Sequence, residues 1–93
     1  MEAKSHTKKE RITFCIPVYN EEKMLVKNLK KIANELRNLF GETNYEIIIV
    51  DNGSIDNTPT LLRSIKNKNV RVIFCPEKGI GKAYRLAIQK ARY

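Results

Sequence analysis

The chain has 93 residues, 42% of them hydrophobic and 30% charged, which suffices for one small core and excludes a multidomain assembly. Eighteen Lys and Arg against ten Asp and Glu give a net charge of +8, which admits nucleic acid, an anionic membrane surface or a phosphorylated small molecule as partner, with plain solvated charge as the alternative. No apolar run approaches the roughly 20 residues of a membrane span, and the polar, Lys-rich first ten residues lack the apolar stretch of a secretory signal. A soluble, cytoplasmic chain with a loose leader over residues 1–10 and one domain over 11–93 is the expectation.

In chain order, Ile12 to Val18 (ITFCIPV) is nearly continuous in β-formers, as in a strand covered on both faces, with Pro17 at its end. Glu21 to Phe40 then sets Leu25, Leu29, Ile32, Leu36 and Leu39 three and four apart, which predicts a long amphipathic helix. Glu21 and Glu22 suit its positive end, and Gly41 stops it. Tyr45 to Val50 (YEIIIV) predicts a second buried strand that breaks at the turn formers Asp51-Asn52-Gly53-Ser54. Thr58 and Pro59 read as N-cap and first residue of a short helix with Leu61, Leu62 and Ile65 inward. Val70 to Cys75 is a third strand, and Ala83, Leu86, Ala87 and Ala91 form the small-residue stripe of a third helix packed closely on a sheet.

The order β-α-β-α-β-α predicts an α/β fold: a Rossmann-like three-layer α/β/α arrangement on a parallel sheet with right-handed crossovers, the second strand lying between the first and third. Cys15 and Cys75 would then stand about two strand spacings apart, roughly 9 to 10 Å. That is too far for a disulfide, so both are expected as free, structural thiols.

Ligands of open parallel sheets bind beyond the carboxyl ends of the strands. There the first strand leads into Tyr19, Asn20, Glu21 and Glu22, the second into Asp51 to Ser54, and the third into Glu77, Lys78, Gly79 and Gly81. A ring to stack on a base, carboxylates or amides to read N–H groups and hydroxyls, and backbone N–H with Lys to meet phosphate are the parts of a nucleotide pocket. Each also has a bland reading as edge cover, first-turn acid or ligand-free turn. The lysines and arginine of the long helix, Lys23, Lys27, Lys30, Lys31 and Arg37, spread along it, whereas Lys78, Lys82 and Arg85 gather beside two glycines as if aimed at a ligand. Gly79-Ile80-Gly81-Lys82-Ala83-Tyr84 is a poor dinucleotide fingerprint, because Tyr84 replaces the last glycine, and it is no Walker A loop.

IPVYNEE at Ile16 to Glu22, EIIIVDNGSIDNT at Glu46 to Thr58 and the following Lys78-Gly-Ile-Gly-Lys-Ala-Tyr resemble the family-two glycosyltransferases of GT-A fold, with polyprenyl-phosphate (dolichol-phosphate) mannosyl- and glucosyltransferases as the nearest flavour. The resemblance runs from about Arg11 to Tyr93 and makes the chain the N-terminal half of that fold. It implies that Pro17, Tyr19 and Glu21 line the base and ribose of a UDP- or GDP-sugar. It also implies that Asp51 and Asn52 hold the paired-aspartate position that reads the base, Asn52 being a departure, and that Lys82 belongs to a basic loop near the donor phosphates. Family members use Mg2+ or Mn2+ held by an Asp-x-Asp on the next strand, with a general base later still. Neither is present in these 93 residues, so no residue here is assigned a catalytic or metal-binding role and the chain is expected to be inactive alone.

The reading that follows is a nucleotide-sugar-binding part of a glycosyltransferase, with a lipid phosphate such as polyprenyl phosphate, or a saccharide, as acceptor. A full-length form would work in the cytoplasm or at the cytoplasmic face of the membrane. The alternatives are an inert truncated domain and a small basic nucleic-acid-binding module, the latter disfavoured because the basic residues lack interleaved aromatics. Without a fourth strand the first would be an apolar edge open to pairing with a second copy.

Overall fold

A computed structural model describes residues 10–75, 85 and 87–93. Three strands, β1 (Ile12–Val18), β2 (Tyr45–Asp51) and β3 (Val70–Phe74), and two helices, α1 (Leu25–Phe40) and α2 (Thr58–Arg63), alternate along the chain, and residues 87–90 are again helical. The strands form one parallel sheet in the order β1-β2-β3, as the alternation predicts. The leader expected over residues 1–10 lies outside the described residues except for Glu10, as do Glu77 to Tyr84 and Leu86.

The central strand decides the layers. Every residue of β2 is buried, and its pleat sends Ile47 and Ile49 to one face, Ile48 and Val50 to the other. On the first face Leu25, Ala33, Leu36 and Leu62 from α1 and α2 close over Ile47 and Ile49. On the second, Cys75 and Ala87 pack with Ile48 and Val50, and Ala91 adds to them from the C-terminal segment. Burying four such side chains at 0–1% exposure stabilises the fold by roughly 1.5–3 kcal/mol each before the entropy of ordering is subtracted. Cys15 and Cys75 form no disulfide, as the strand order predicts.

Several boundaries and faces differ from the sequence expectation for identifiable reasons. The helix begins at Leu25, not Glu21; Glu21 to Met24 is a turn whose carbonyl at Glu21 accepts from the N–H groups of Met24 and Leu25, at 3.1 and 2.9 Å. No acid occupies the first turn of α1. Leu39 does not face the core: it is 63% exposed, while Ala33 and Phe40 take the sheet-facing positions beside Leu36. At the other end Gly41 adopts φ 85° and donates to Arg37 O at 2.9 Å, ending the helix as a side chain with a Cβ would do only at a cost. β1 is covered less fully than a two-faced strand, being hydrogen-bonded among the described strands to β2 alone, with Phe14 38% exposed. Pro17 fits there because its missing N–H falls at an edge.

One charged residue sits inside the central strand. Glu46 is 3% exposed, yet its carboxylate accepts from Thr13 Oγ1 at 3.1 Å, from the Arg92 N–H at 2.6 Å and from Arg71 Nη1 at 3.5 Å. Arg71 Nη1 also donates to the Lys90 carbonyl. All three strands and the end of the chain thus meet at one buried anion, at the end of the sheet opposite the β2–α2 loop.

Candidate functional site

Parallel pairing brings the carboxyl ends of the strands into line. Val18 pairs with Asp51 and Asp51 with Phe74. Just beyond, Asn52 N–H donates to Val18 O and Cys75 N–H to Asp51 O, both at 2.8 Å. Pro17, Tyr19, Asp51 and Asn52 therefore share one rim, as the sequence reading placed them, and the chain leaving β3 starts beside Asp51. Lys82 lies outside the described residues.

The loops after β1 and β2 are laced together. Asn20 N–H donates to Ser54 Oγ at 2.8 Å, while Ile55 N–H donates to Asn20 Oδ1 at 2.9 Å. Glu21 N–H donates to Thr58 Oγ1 at 2.8 Å, Glu22 N–H to Asp56 Oδ2 at 3.4 Å, and Asn57 N–H to the Glu22 carboxylate at 3.0 Å. Asn20 takes a left-handed conformation, φ 51°, which asparagine tolerates better than most residues, and Gly53, φ 80°, turns the second loop back toward it.

This clasp corrects two sequence assignments. Thr58 is the first helical residue rather than the N-cap, which is Asn57. Its fully buried hydroxyl serves the β1 loop, and Asp56 Oδ1 takes the Thr58 N–H at 2.8 Å instead. Glu22 accepts from the residue preceding α2, so its carboxylate serves the start of the second helix and not the first. Desolvation pushes the Asp56 carboxyl up, but hydrogen bonds from the Thr58 hydroxyl and from the N–H groups of Thr58, Glu22 and Asp56 itself outweigh it and leave it below the usual carboxylate range. The sequence reading puts Asn20 and Ser54 on the rim without giving either a role of its own and leaves Asp56 and Thr58 out of the site; the Asp-x-Thr spacing of an Asx turn is the one local signal for the latter two.

At the centre of the rim, Asp51 and Asn52 are 4% and 8% exposed, and Oδ1 of each has no hydrogen-bond partner among the described residues. Most buried polar atoms in folded proteins are paired, and leaving one unpaired costs about 1–3 kcal/mol. Both orphans are acceptors, so together they suit a ligand that presents N–H or O–H donors. Tyr19 is 37% exposed beside them. Pro17 and Glu21 also line a cavity of about 390 Å³ that runs between β1 and α1 and does not include Asp51 or Asn52. Among the described residues no group of three or more His, Cys, Asp or Glu is placed to hold a metal ion, and no step through Mg2+ or Mn2+ is assigned to them.

The family model described as glycosyl transferase family 2 matches residues 13–93, nearly the whole chain. The chain belongs to glycosyl transferase family 2. Within that family it is 39% identical over 57 residues to the undecaprenyl-phosphate 4-deoxy-4-formamido-L-arabinose transferase of Proteus mirabilis, a match covering 61% of this chain and 17% of that protein. It is 45% identical over 56 residues to the UDP-N-acetylglucosamine–dolichyl-phosphate N-acetylglucosaminyltransferase of Methanococcus voltae, covering 59% and 19%. The minor teichoic acid biosynthesis protein GgaA of Bacillus subtilis is 30% identical over 70 residues, covering 72% and 15%. The chain spans less than a fifth of the length of these relatives.

Proposed function

We propose that this chain is the donor-nucleotide part of a glycosyltransferase and holds a UDP- or GDP-sugar across the carboxyl ends of β1, β2 and β3. The observation that carries the reading is the pair of buried, unpartnered acceptors, Asp51 Oδ1 and Asn52 Oδ1, at the end of the central strand. A pyrimidine or purine base supplies the missing donors: uracil offers N3–H and guanine offers N1–H with its amino group. The Asn52 amide carries a donor as well as an acceptor, so it can bond an N–H and the neighbouring carbonyl of one base edge. Tyr19 and Pro17 would flank the ring and Glu21 the ribose, with Lys82 near the diphosphate.

The whole protein would pass the sugar to a lipid phosphate or a saccharide. Support comes from the names of the relatives, which include undecaprenyl-phosphate and dolichyl-phosphate transferases and a UDP-N-acetylglucosamine donor. A divalent metal, Mg2+ or Mn2+, would offset the charge of the leaving diphosphate.

Thermal unfolding in the presence of UDP, GDP or ADP, each with Mg2+ or Mn2+, tests the donor site. Ligand at a hundred times its Kd stabilises by about 2.7 kcal/mol, a shift of roughly 10–20 °C for a domain of this size. UDP or GDP should raise Tm and ADP should not. No shift with either UDP or GDP, or an equal shift with all three, counts against the reading.

A further inference from the structure

The basic residues of α1 acquire a common direction once the helix is placed. Lys27, Lys30 and Lys31 follow the three-and-four spacing of an exposed stripe, opposite Leu25, Leu29, Ile32 and Leu36, and Arg37 lies at its flank. All four are exposed. The one acid of α1, Glu35, lines the cavity on the β1 side and is absent from the groove on the other flank. That groove, about 670 Å³, runs between α1 and the end of α2. Lys30, Lys31 and Arg37 approach it from one side and Lys66 from the other, and among the described residues no acid lines it.

Its apolar lining includes Val26, Leu29, Ala33, Leu61 and Ile65. Val26 is 45% exposed, and Met24 and Leu39, near the two ends of α1, are 44% and 63% exposed. Among the described residues, none of Lys27, Lys30, Lys31 and Lys66 has an ion-pair partner. Like charges on one face repel one another, and Glu35, one turn from Lys31, is the one acid of α1 set against them.

We propose that this α1–α2 face docks on an anionic lipid surface. Charge complementarity selects the occupant: five cations, Lys27, Lys30, Lys31, Arg37 and Lys66, outnumber the one acid of α1, Glu35, and face an array of anionic headgroups, and lysine stems lie along apolar surface while their ammonium groups reach outward. From Lys27 to Arg37 the strip is about 15 Å long at the helical rise, a length that spans several headgroups. The apolar groove and the exposed Val26 at its edge suit the boundary between headgroups and acyl chains. A nucleic acid would match the charge but not the apolar groove, which has no aromatic ring for base stacking. No described helix is long and apolar enough to cross a membrane, so the contact is peripheral. The inference is independent of the donor site, since none of the five cations belongs to the rim.

Co-sedimentation of the 93-residue chain with phosphatidylcholine vesicles, with and without 30% phosphatidylglycerol, tests it. Binding is expected only with the anionic lipid and should fade in 0.5 M salt as screening shortens the reach of the charges. Each surface lysine contributes about fivefold to partitioning, so Lys27→Gln, Lys30→Gln and Lys31→Gln together should cost roughly a hundredfold. The control triple Lys8→Gln, Lys9→Gln and Lys90→Gln removes the same charge elsewhere and should cost far less. Circular dichroism shows whether each triple retains the fold. Equal loss in both folded triples, equal binding to neutral vesicles, no vesicle binding at all, or tight binding to a DNA duplex in the absence of vesicle binding would each overturn the proposal.

Discussion

Asn20 and Ser54 face each other across the two loops that leave β1 and β2, the Asn20 N–H donating to the Ser54 hydroxyl at 2.8 Å while Asn20 Oδ1 accepts from the next residue, Ile55, at 2.9 Å. The pair holds Tyr19 and Asn52 on one rim without either of them taking part in the contact. A loop held this way is ordered before a ligand arrives, which lowers the entropy cost of binding.

The most buried member of the clasp is the best place to measure its strength. Thr58 is fully buried and its hydroxyl accepts the Glu21 N–H. Thr58→Val keeps the shape and removes the acceptor, stranding that N–H, and should cost about 1–3 kcal/mol in urea unfolding. Thr58→Ser should recover most of the loss. Equal stability of the valine variant and the parent would show that water replaces the bond and that the clasp is looser than its distances indicate.

Asp56 gives the same clasp a pH signature. Its folded carboxyl lies below the ordinary value of 3.8 because the N–H groups and hydroxyl around it favour the anion more than desolvation opposes it. A depressed folded value adds stability that is complete above the unfolded value and is lost as pH falls through the folded one. The loss therefore belongs below about pH 4. Asp56→Asn should flatten that part of the acid-unfolding profile, followed by circular dichroism, while leaving the slope between pH 6 and 8 unchanged.

How far these features could be read from the residues depends on the distance over which each acts. The apolar run of β2, Gly41 as a helix stop and the gathering of Tyr19, Asp51 and Asn52 at strand ends all follow from local pattern plus the parallel topology, and the structure carries them. The role of Thr58 does not, because its partner lies 37 residues away and a threonine before proline has the same local appearance whichever N–H it meets. Glu22 shows the same limit: the rule that acids favour helix starts is obeyed, but at α2, which only the tertiary fold brings near. Leu39 failed for a different reason, since a spacing of three places it at the border of the apolar stripe, where Ala33 and Phe40 fill the core instead.

Glu46 lies inside the apolar run of β2 and is buried with it, against Thr13, Arg71 and the Arg92 N–H. Glu46→Leu would leave that N–H and the Thr13 hydroxyl without their acceptor and should cost about 2–3 kcal/mol, the range for hydrogen bonds to a charged group. Arg71→Ala should cost less than about 1 kcal/mol, because the arginine is 31% exposed and water screens the pair. Denaturant midpoints for the two variants separate the contributions of hydrogen bonding and ion pairing.

The same carboxylate acts on Cys15. Burial pushes that thiol up, and the negative charge of Glu46 pushes it further in the same direction. Cys15 should therefore react with iodoacetamide at pH 8 more slowly than free cysteine, since the thiolate is the nucleophile. Glu46→Gln removes the charge and should speed the reaction; an unchanged rate in a folded variant would assign the whole effect to burial.

The unpartnered acceptors of the rim predict opposite responses for stability and for binding. Asn52 Oδ1 makes no hydrogen bond among the described residues, so Asn52→Ala should change the unfolding free energy by no more than about 1 kcal/mol, in either direction. The same substitution removes a group proposed to meet the base and should weaken UDP or GDP several-fold to tenfold, the effect of one hydrogen bond of about 1 kcal/mol. Asn52→Asp sharpens the test. A carboxylate accepts at both oxygens, which suits the N1–H and amino group of guanine, whereas the amide matches the N3–H and adjacent carbonyl of uracil. The aspartate variant should therefore shift preference from UDP toward GDP, measured as the ratio of the two dissociation constants by calorimetry. A ratio that stays constant while both affinities fall would place Asn52 beside the nucleotide without a part in choosing its base.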